Sequence, residues 1–241
     1  MDFTYKAYKD MLDLIKEKGY TFCNYTNYEQ FEKTVILRHD IDFSLEKTIE
    51  FARLEYNKGI KSTYFVLLST DFYNIFSKKS YRILKEIKDM GHDIGLHFDE
   101  KRYEICDLKA LEFWVNKEIS YLESVLDCSV SIVSMHRPSK WILENDIKFE
   151  KIINTYSKTF LGEFKYLSDS RMYWREDVIR IIESEQYDKL HILTHPFWYS
   201  LKKNNMKEKL VNFINHSKKE RYYSIKDNLR DIEEVLKVSE I

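Results

Sequence analysis

The stretch VILRHDID, Val35 to Asp42, sets three aliphatic residues directly against Arg38, His39, Asp40 and Asp42. In a strand, alternate residues share a face, so Asp40 and Asp42 point one way and His39 the other. Two carboxylates on one face repel unless something positive sits between them. A divalent metal held by one, with the other left as a base, resolves this. The competing reading is helix capping, because Asp42 lies just before the SLEK segment. His97 in LHFDE, His136 in MHRPS and His195 in LTHPFW each read, alone, as a core or surface histidine. Together with a carboxylate, two imidazoles suit a catalytic zinc or a similar divalent ion that keeps a position open for water. Such an ion brings the pKa of water towards about 7, so a hydrolase follows. His195 would then protonate a leaving amine; its plainer role is to anchor the turn made by Pro196. Arg137 would keep Asp40 ionised and oriented, or form a structural salt bridge in the same place. Trp141, Trp174, Trp198 and Tyr199 fall in the same segments, with faces suited to a sugar ring or to core packing.

These residues need a scaffold that gathers them. Short apolar runs, TVILRHD, STYFVLL, HDIGLHF, VSIVSMH, FKYLSDS and LHILTH, alternate with amphipathic stretches. Among the stretches, SLEKTIEFARLEYNKG opens with Ser44 as N-cap and closes at Gly59, and SYRILKEIKDMG closes at Gly91. DLKALEFWVNKEISYLESVLD and REDVIRIIES continue the pattern. The alternation is β/α repetition, which closes into a barrel or an open doubly wound sheet. In either, chemistry collects at the C-terminal ends of the strands, where the histidines above lie.

With 241 residues, 44% of them hydrophobic, a single domain over 1–241 is expected. A net charge of −1 gives no field that would attract nucleic acid. Cys23, Cys106 and Cys128 lack zinc-type spacing and fit a reducing compartment. The N-terminus has no apolar signal-like run and no stretch is long enough to span a membrane, so a cytoplasmic protein is expected. The C-terminal NNMKEKLVNFINHSKKERYYSIKDNLRDIEEVLK reads as one or two helices that close the barrel or mediate association.

From about Val35 to Tyr199 the chain resembles the NodB-homology polysaccharide deacetylases, carbohydrate esterase family 4. Its Arg-His-Asp-Ile-Asp motif is most like the WbmS-like branch, associated with bacterial surface-polysaccharide biosynthesis. The resemblance implies a distorted (β/α) barrel of about seven strands and a metal-dependent hydrolase that removes N-acetyl groups from sugars. It puts the general base on Asp40, the metal carboxylate on Asp42 and the first metal histidine on His97. Arg137 and Pro138 match the third motif, and Asp169 and Trp174 loosely match the fourth as supporting and substrate-binding residues. Leu193, Thr194 and His195 match the fifth; Trp198 follows as a second sugar contact.

The family's adjacent Asp-Asp is here Asp-Ile-Asp, and its second metal histidine, four residues after His97, is Lys101. His136 is the expected replacement, ahead of Asp99, Glu100 and His39. The expected substrate is an amide-bearing sugar, in nucleotide- or lipid-linked form, used in capsule or O-antigen assembly. The alternatives are hydrolysis of another sugar C–N bond (formyl, carbamoyl or ureido) and a catalytically silent sugar-binding barrel.

Overall fold

In the computed structural model, which describes Met1–Ile241, every residue of the strand Thr34–Ile41 is buried. Burial on both faces is what a central parallel strand requires. The strands are β1 (Thr21–Cys23), β2 (Thr34–Ile41), β3 (Thr63–Leu67), β4 (Asp93–Phe98), β5 (Ile132–Met135), β6 (Ile153–Asn154), β7 (Lys165–Ser168) and β8 (Lys189–Thr194). All pairings are parallel, in the order β6-β5-β4-β3-β2-β8-β7, with β1 beside the first half of β2. The path ends at β6 and β7, which leaves an incomplete, distorted (β/α) barrel. All six expected strands are present; β1 and β6 are additions too short to leave a hydrophobic period in the sequence.

The helices are α1 (Tyr5–Glu17), α2 (Leu45–Tyr56), α3 (Lys78–Asp89), α4 (Leu108–Leu126), α5 (Lys140–Glu144), α6 (Val178–Ser184), α7 (Met206–Lys226) and α8 (Ile232–Val235). Ser44 caps α2, its hydroxyl accepting the Lys47 N–H at 3.3 Å, which releases Asp42 from capping. Gly59 follows at φ +67°, a left-handed turn that glycine adopts without strain.

Strand alternation sorts the side chains into two layers. Ile41, Val66, Leu96 and Val133 face outward and pack with Ala52, Leu84 and Val115 of the covering helices. Ile36, Phe65 and Ile132 face inward and, with Tyr25, Phe160 and Phe164, make an apolar floor. Gly95 is required beside that floor, since a Cβ there would lie 2.5 Å from the Phe65 ring. Above it, towards the C-terminal ends of the strands, the inward positions turn polar: Arg38, Asp40, His97 and Ser134.

Met1–Tyr199 forms one compact unit and Ser200–Ile241 a second. In the second, a capping box between Asn205 and Glu208 opens α7, and the Lys226–Glu233 ion pair at 2.6 Å ties α7 to α8. The expected C-terminal helices are therefore present. No helix is long and apolar enough to cross a membrane.

Candidate active site

Arg38, Asp40 and Asp42 occupy successive inward positions of β2 and its end. The Arg38 guanidinium, fully buried, donates from Nε and Nη2 to the two oxygens of Asp40 at 2.9 and 2.8 Å. Burial alone would raise the Asp40 pKa. The fork-on-fork contact with Arg38, followed by His97, outweighs it and holds the carboxyl below its ordinary range. Arg38 also reaches Thr155 Oγ1 at 3.2 Å and lies over the rings of Phe65 and Tyr156. Asp40 is thus ionised and fixed in place.

Asp42, His97 and His136 converge. His97 Nε2 lies 3.3 Å from Asp42 Oδ1, His136 Nδ1 lies 3.5 Å from the same oxygen, and the two ring nitrogens are 3.1 Å apart. His97 is oriented from behind by Ser134, whose hydroxyl sits 2.7 Å from Nδ1. With Nδ1–H donating to Ser134, the Nε2 lone pair faces the cluster. Asp42 Oδ1 is buried and takes part in no hydrogen bond of acceptable geometry. An orphaned buried carboxylate oxygen facing two imidazole nitrogens is costly unless a cation joins them.

The donor set passes a simple fit test. The nearest point equidistant from the three atoms lies about 1.9 Å from each, so all three can be reached together at the roughly 2.0–2.2 Å of zinc–nitrogen and zinc–carboxylate bonds. One carboxylate and two imidazoles are also donors that zinc and similar ions accept. Burial tends to raise the Asp42 pKa, but His97, His195 and His136 hold it far below the usual range.

His195 faces this cluster from β8. Its Nδ1 lies 2.6 Å from Asp169 Oδ1, its backbone N–H also reaches that carboxylate, and its Nε2 is 3.8 Å from Asp42 Oδ2. Asp169 is completely buried. Burial disfavours the charged imidazolium, yet Asp169, with Asp42 and Asp40 behind it, pushes the His195 pKa up to about 9.

Behind β2, the outward His39 belongs to a different network. Its Nε2 meets Glu55 Oε1 at 2.9 Å and its Nδ1 meets Thr194 Oγ1 at 2.7 Å. Glu55, buried on α2, also accepts from Tyr8, Ser62 and Tyr64 at 2.6, 2.6 and 2.7 Å. His39 is therefore a strut between β2 and β8, bonded to neither Asp40 nor the histidine cluster.

A cleft of about 650 Å³ opens over the site, lined by Asp40, Asp42, His97, His136, His195 and Trp198 among others. Two expectations are corrected. Arg137 does not orient Asp40: it has φ +52°, which turns the chain out of the strand end, and its guanidinium pairs with Asp99 while Arg38 holds Asp40 from inside. Arg137 still lines the cleft. Trp174 is buried and does not line the cleft, so it is not positioned to meet a sugar there. Lys101 lies in a single 3-10 turn, Glu100–Arg102, and is outside the lining. Unforeseen in the sequence were the roles of Arg38 and Ser134 and the cleft positions of Tyr156, Tyr166, Arg171 and Arg175. Arg38 had a legible signal, since it sits two residues before Asp40 on the same strand face.

Comparison with protein-family models gives no match, and neither does comparison with curated proteins. Among solved structures, the chain is similar to a family 4 carbohydrate esterase from Bacillus anthracis, at 16% identity and TM-score 0.46, over 86% of this chain and 85% of that one. It is similar to a pseudoenzyme of that esterase family, also from Bacillus anthracis, at 15% identity and TM-score 0.45, over 78% and 62%. A third is the peptidoglycan deacetylase PdaC from Bacillus subtilis, at 15% identity and TM-score 0.43, over 68% and 75%.

Proposed function

We propose that the protein is a metal-dependent hydrolase that removes an N-acyl group, acetyl in the first instance, from a sugar. The single observation that carries this reading is the convergence of Asp42 Oδ1, His97 Nε2 and His136 Nδ1 around one point, with Asp40 and His195 beside it. Asp42, His97 and His136 would hold the ion, most suitably zinc. When bound, it supplies Lewis acidity towards an amide carbonyl and makes water more acidic.

The remaining work falls to the chain's own groups. Asp40, with Oδ2 3.5 Å from His97 Nε2, is placed to take a proton from the attacking water at a carboxylate oxygen. Arg38 keeps that carboxylate aimed at the cleft. His195 donates a proton from Nε2 to the departing nitrogen, while Asp169 on Nδ1 fixes the ring. Water attack on the amide carbonyl breaks its C–N bond, and acetate and the free amino sugar leave. Trp198, though largely buried against Phe43 and Phe197, lines the cleft and is the tryptophan that would meet the sugar. The motif resemblance supports a role in assembling a bacterial surface polysaccharide.

The test incubates zinc-loaded protein with N-acetylated sugars and measures acetate, with formate and ammonia followed in parallel for the other C–N bonds. Acetate release that is lost in Asp40→Asn and in His195→Ala is expected. Full activity in either variant overturns the role assigned to that residue. No cleavage product from any amide-bearing sugar overturns the reading.

A further inference from the structure

Two of the three arginines that line the cleft, Arg137, Arg171 and Arg175, have no acidic partner in the chain. Arg137 is engaged by Asp99. Arg171 and Arg175 are exposed, and no side-chain hydrogen bond or ion pair holds either one. The acid beside them in the lining, Glu176, is committed to Lys165 at 2.7 Å. Deeper in, Asp40 is balanced by Arg38 and Asp42 faces three imidazoles. Two unmatched guanidiniums on the wall of a cleft, in a chain whose net charge is −1, make a local field that favours an anion there.

The hydroxyls nearby in the lining agree with that. Ser168 and Ser170 also line the cleft, with their hydroxyls 2.7 Å apart, so one of them has a proton that an incoming acceptor can redirect. Planar guanidinium forks with hydroxyls beside them match a group with several charged oxygens better than a single carboxylate.

We propose that the substrate sugar carries a phosphate or diphosphate ester, seated on Arg171 and Arg175 while its amide lies at Asp40, Asp42 and His195. This rests on the hydrolase reading and assigns the residues that would seat the phosphate of a nucleotide- or lipid-linked sugar. An activated sugar, nucleotide-linked or lipid-linked, is such an ester; a neutral polymer is not.

The test titrates the zinc-loaded full-length protein calorimetrically with N-acetylglucosamine, N-acetylglucosamine 1-phosphate, UDP-N-acetylglucosamine and farnesyl-diphospho-N-acetylglucosamine, at low and high salt, assaying acetate in the same samples. The phosphorylated probes are expected to bind at least tenfold more tightly than the neutral sugar, with a gap that narrows in salt. The Arg171→Gln/Arg175→Gln double variant is expected to shrink that gap below twofold. The tighter of the nucleotide and farnesyl probes identifies the source of the phosphate. Equal binding of neutral and phosphorylated sugar, no binding of any phosphorylated probe, or a gap unchanged in the double variant overturns the proposal. N-acetylglucosaminuronic acid is titrated in the same way, and its binding as tightly as the phosphates also overturns the proposal, in favour of an acidic sugar. Arginine-dependent binding without acetate release sinks the hydrolase reading and leaves the anion site standing. Acetate released equally from neutral and phosphorylated sugars does the reverse.

Discussion

Glu55 is the test of whether the buried network behind β2 is held together by charge. It accepts four hydrogen bonds, from Tyr8, His39, Ser62 and Tyr64, in a fully buried site. Burial works against the carboxylate, but His39, His92 and Ser62 hold its pKa down to about 2. Against an unfolded value of about 4.3–4.5, this depression is worth roughly 3 kcal/mol at neutral pH. The sign follows from which state binds the proton. A carboxyl with a depressed folded pKa contributes its full stability above the unfolded value and loses it as pH falls through the folded one. At pH 3 roughly half of the contribution is left. Glu55→Gln keeps the shape and removes the charge, and it presents an NH2 to two of the four donors. Urea unfolding should therefore find the variant about 3 kcal/mol less stable than wild type at pH 7 and about half that at pH 3. A cost below about 1 kcal/mol at pH 7, or one that does not change with pH, would show that the carboxylate is not a charged hub and refute the reasoning.

Other sites yield expectations of the same kind. Arg38→Met leaves Asp40 buried without its partner and should cost about 3–5 kcal/mol in urea unfolding; Asp40→Asn in that background should restore part of the loss. Gly95→Ala puts a methyl into the Phe65 ring and should cost about 1–3 kcal/mol, with thermal denaturation as the readout. His191 takes the Tyr25 hydroxyl at Nε2 and faces the Phe160 carbonyl at Nδ1, and burial, then Arg38, depress its pKa to about 3. The neutral ring is the folded form, so this contribution is complete above about pH 6.5 and falls by up to about 1.4 kcal/mol per pH unit as pH drops towards 3; His191→Phe should flatten that part of the stability profile. Ser134→Ala removes the group that orients His97 and should weaken zinc binding about 10–100-fold by calorimetry, with the fold unchanged by circular dichroism.

What could be read from the chain was whatever alternation along one strand or position at a strand end encodes. Asp40, Asp42, His97, His136 and His195 all sit at inward positions at the C-terminal ends of parallel strands, and a parallel barrel brings those ends together whatever loops join them. What could not be read was any pairing that depends on how a turn leaves a strand. Arg137 stands next to His136 in sequence, but a positive φ at Arg137 separates the two, sending the imidazole in to Asp42 and the guanidinium aside to Asp99 at the cleft wall. Arg38 was open to the same period-2 argument that paired Asp40 with Asp42, and it supplies the positive group that those carboxylates require. One buried guanidinium spans both oxygens of Asp40 and is used up there. The charge of Asp42 is left for the histidines and whatever ion joins them, which is the physical reason why the two carboxylates of RHDID have different work to do.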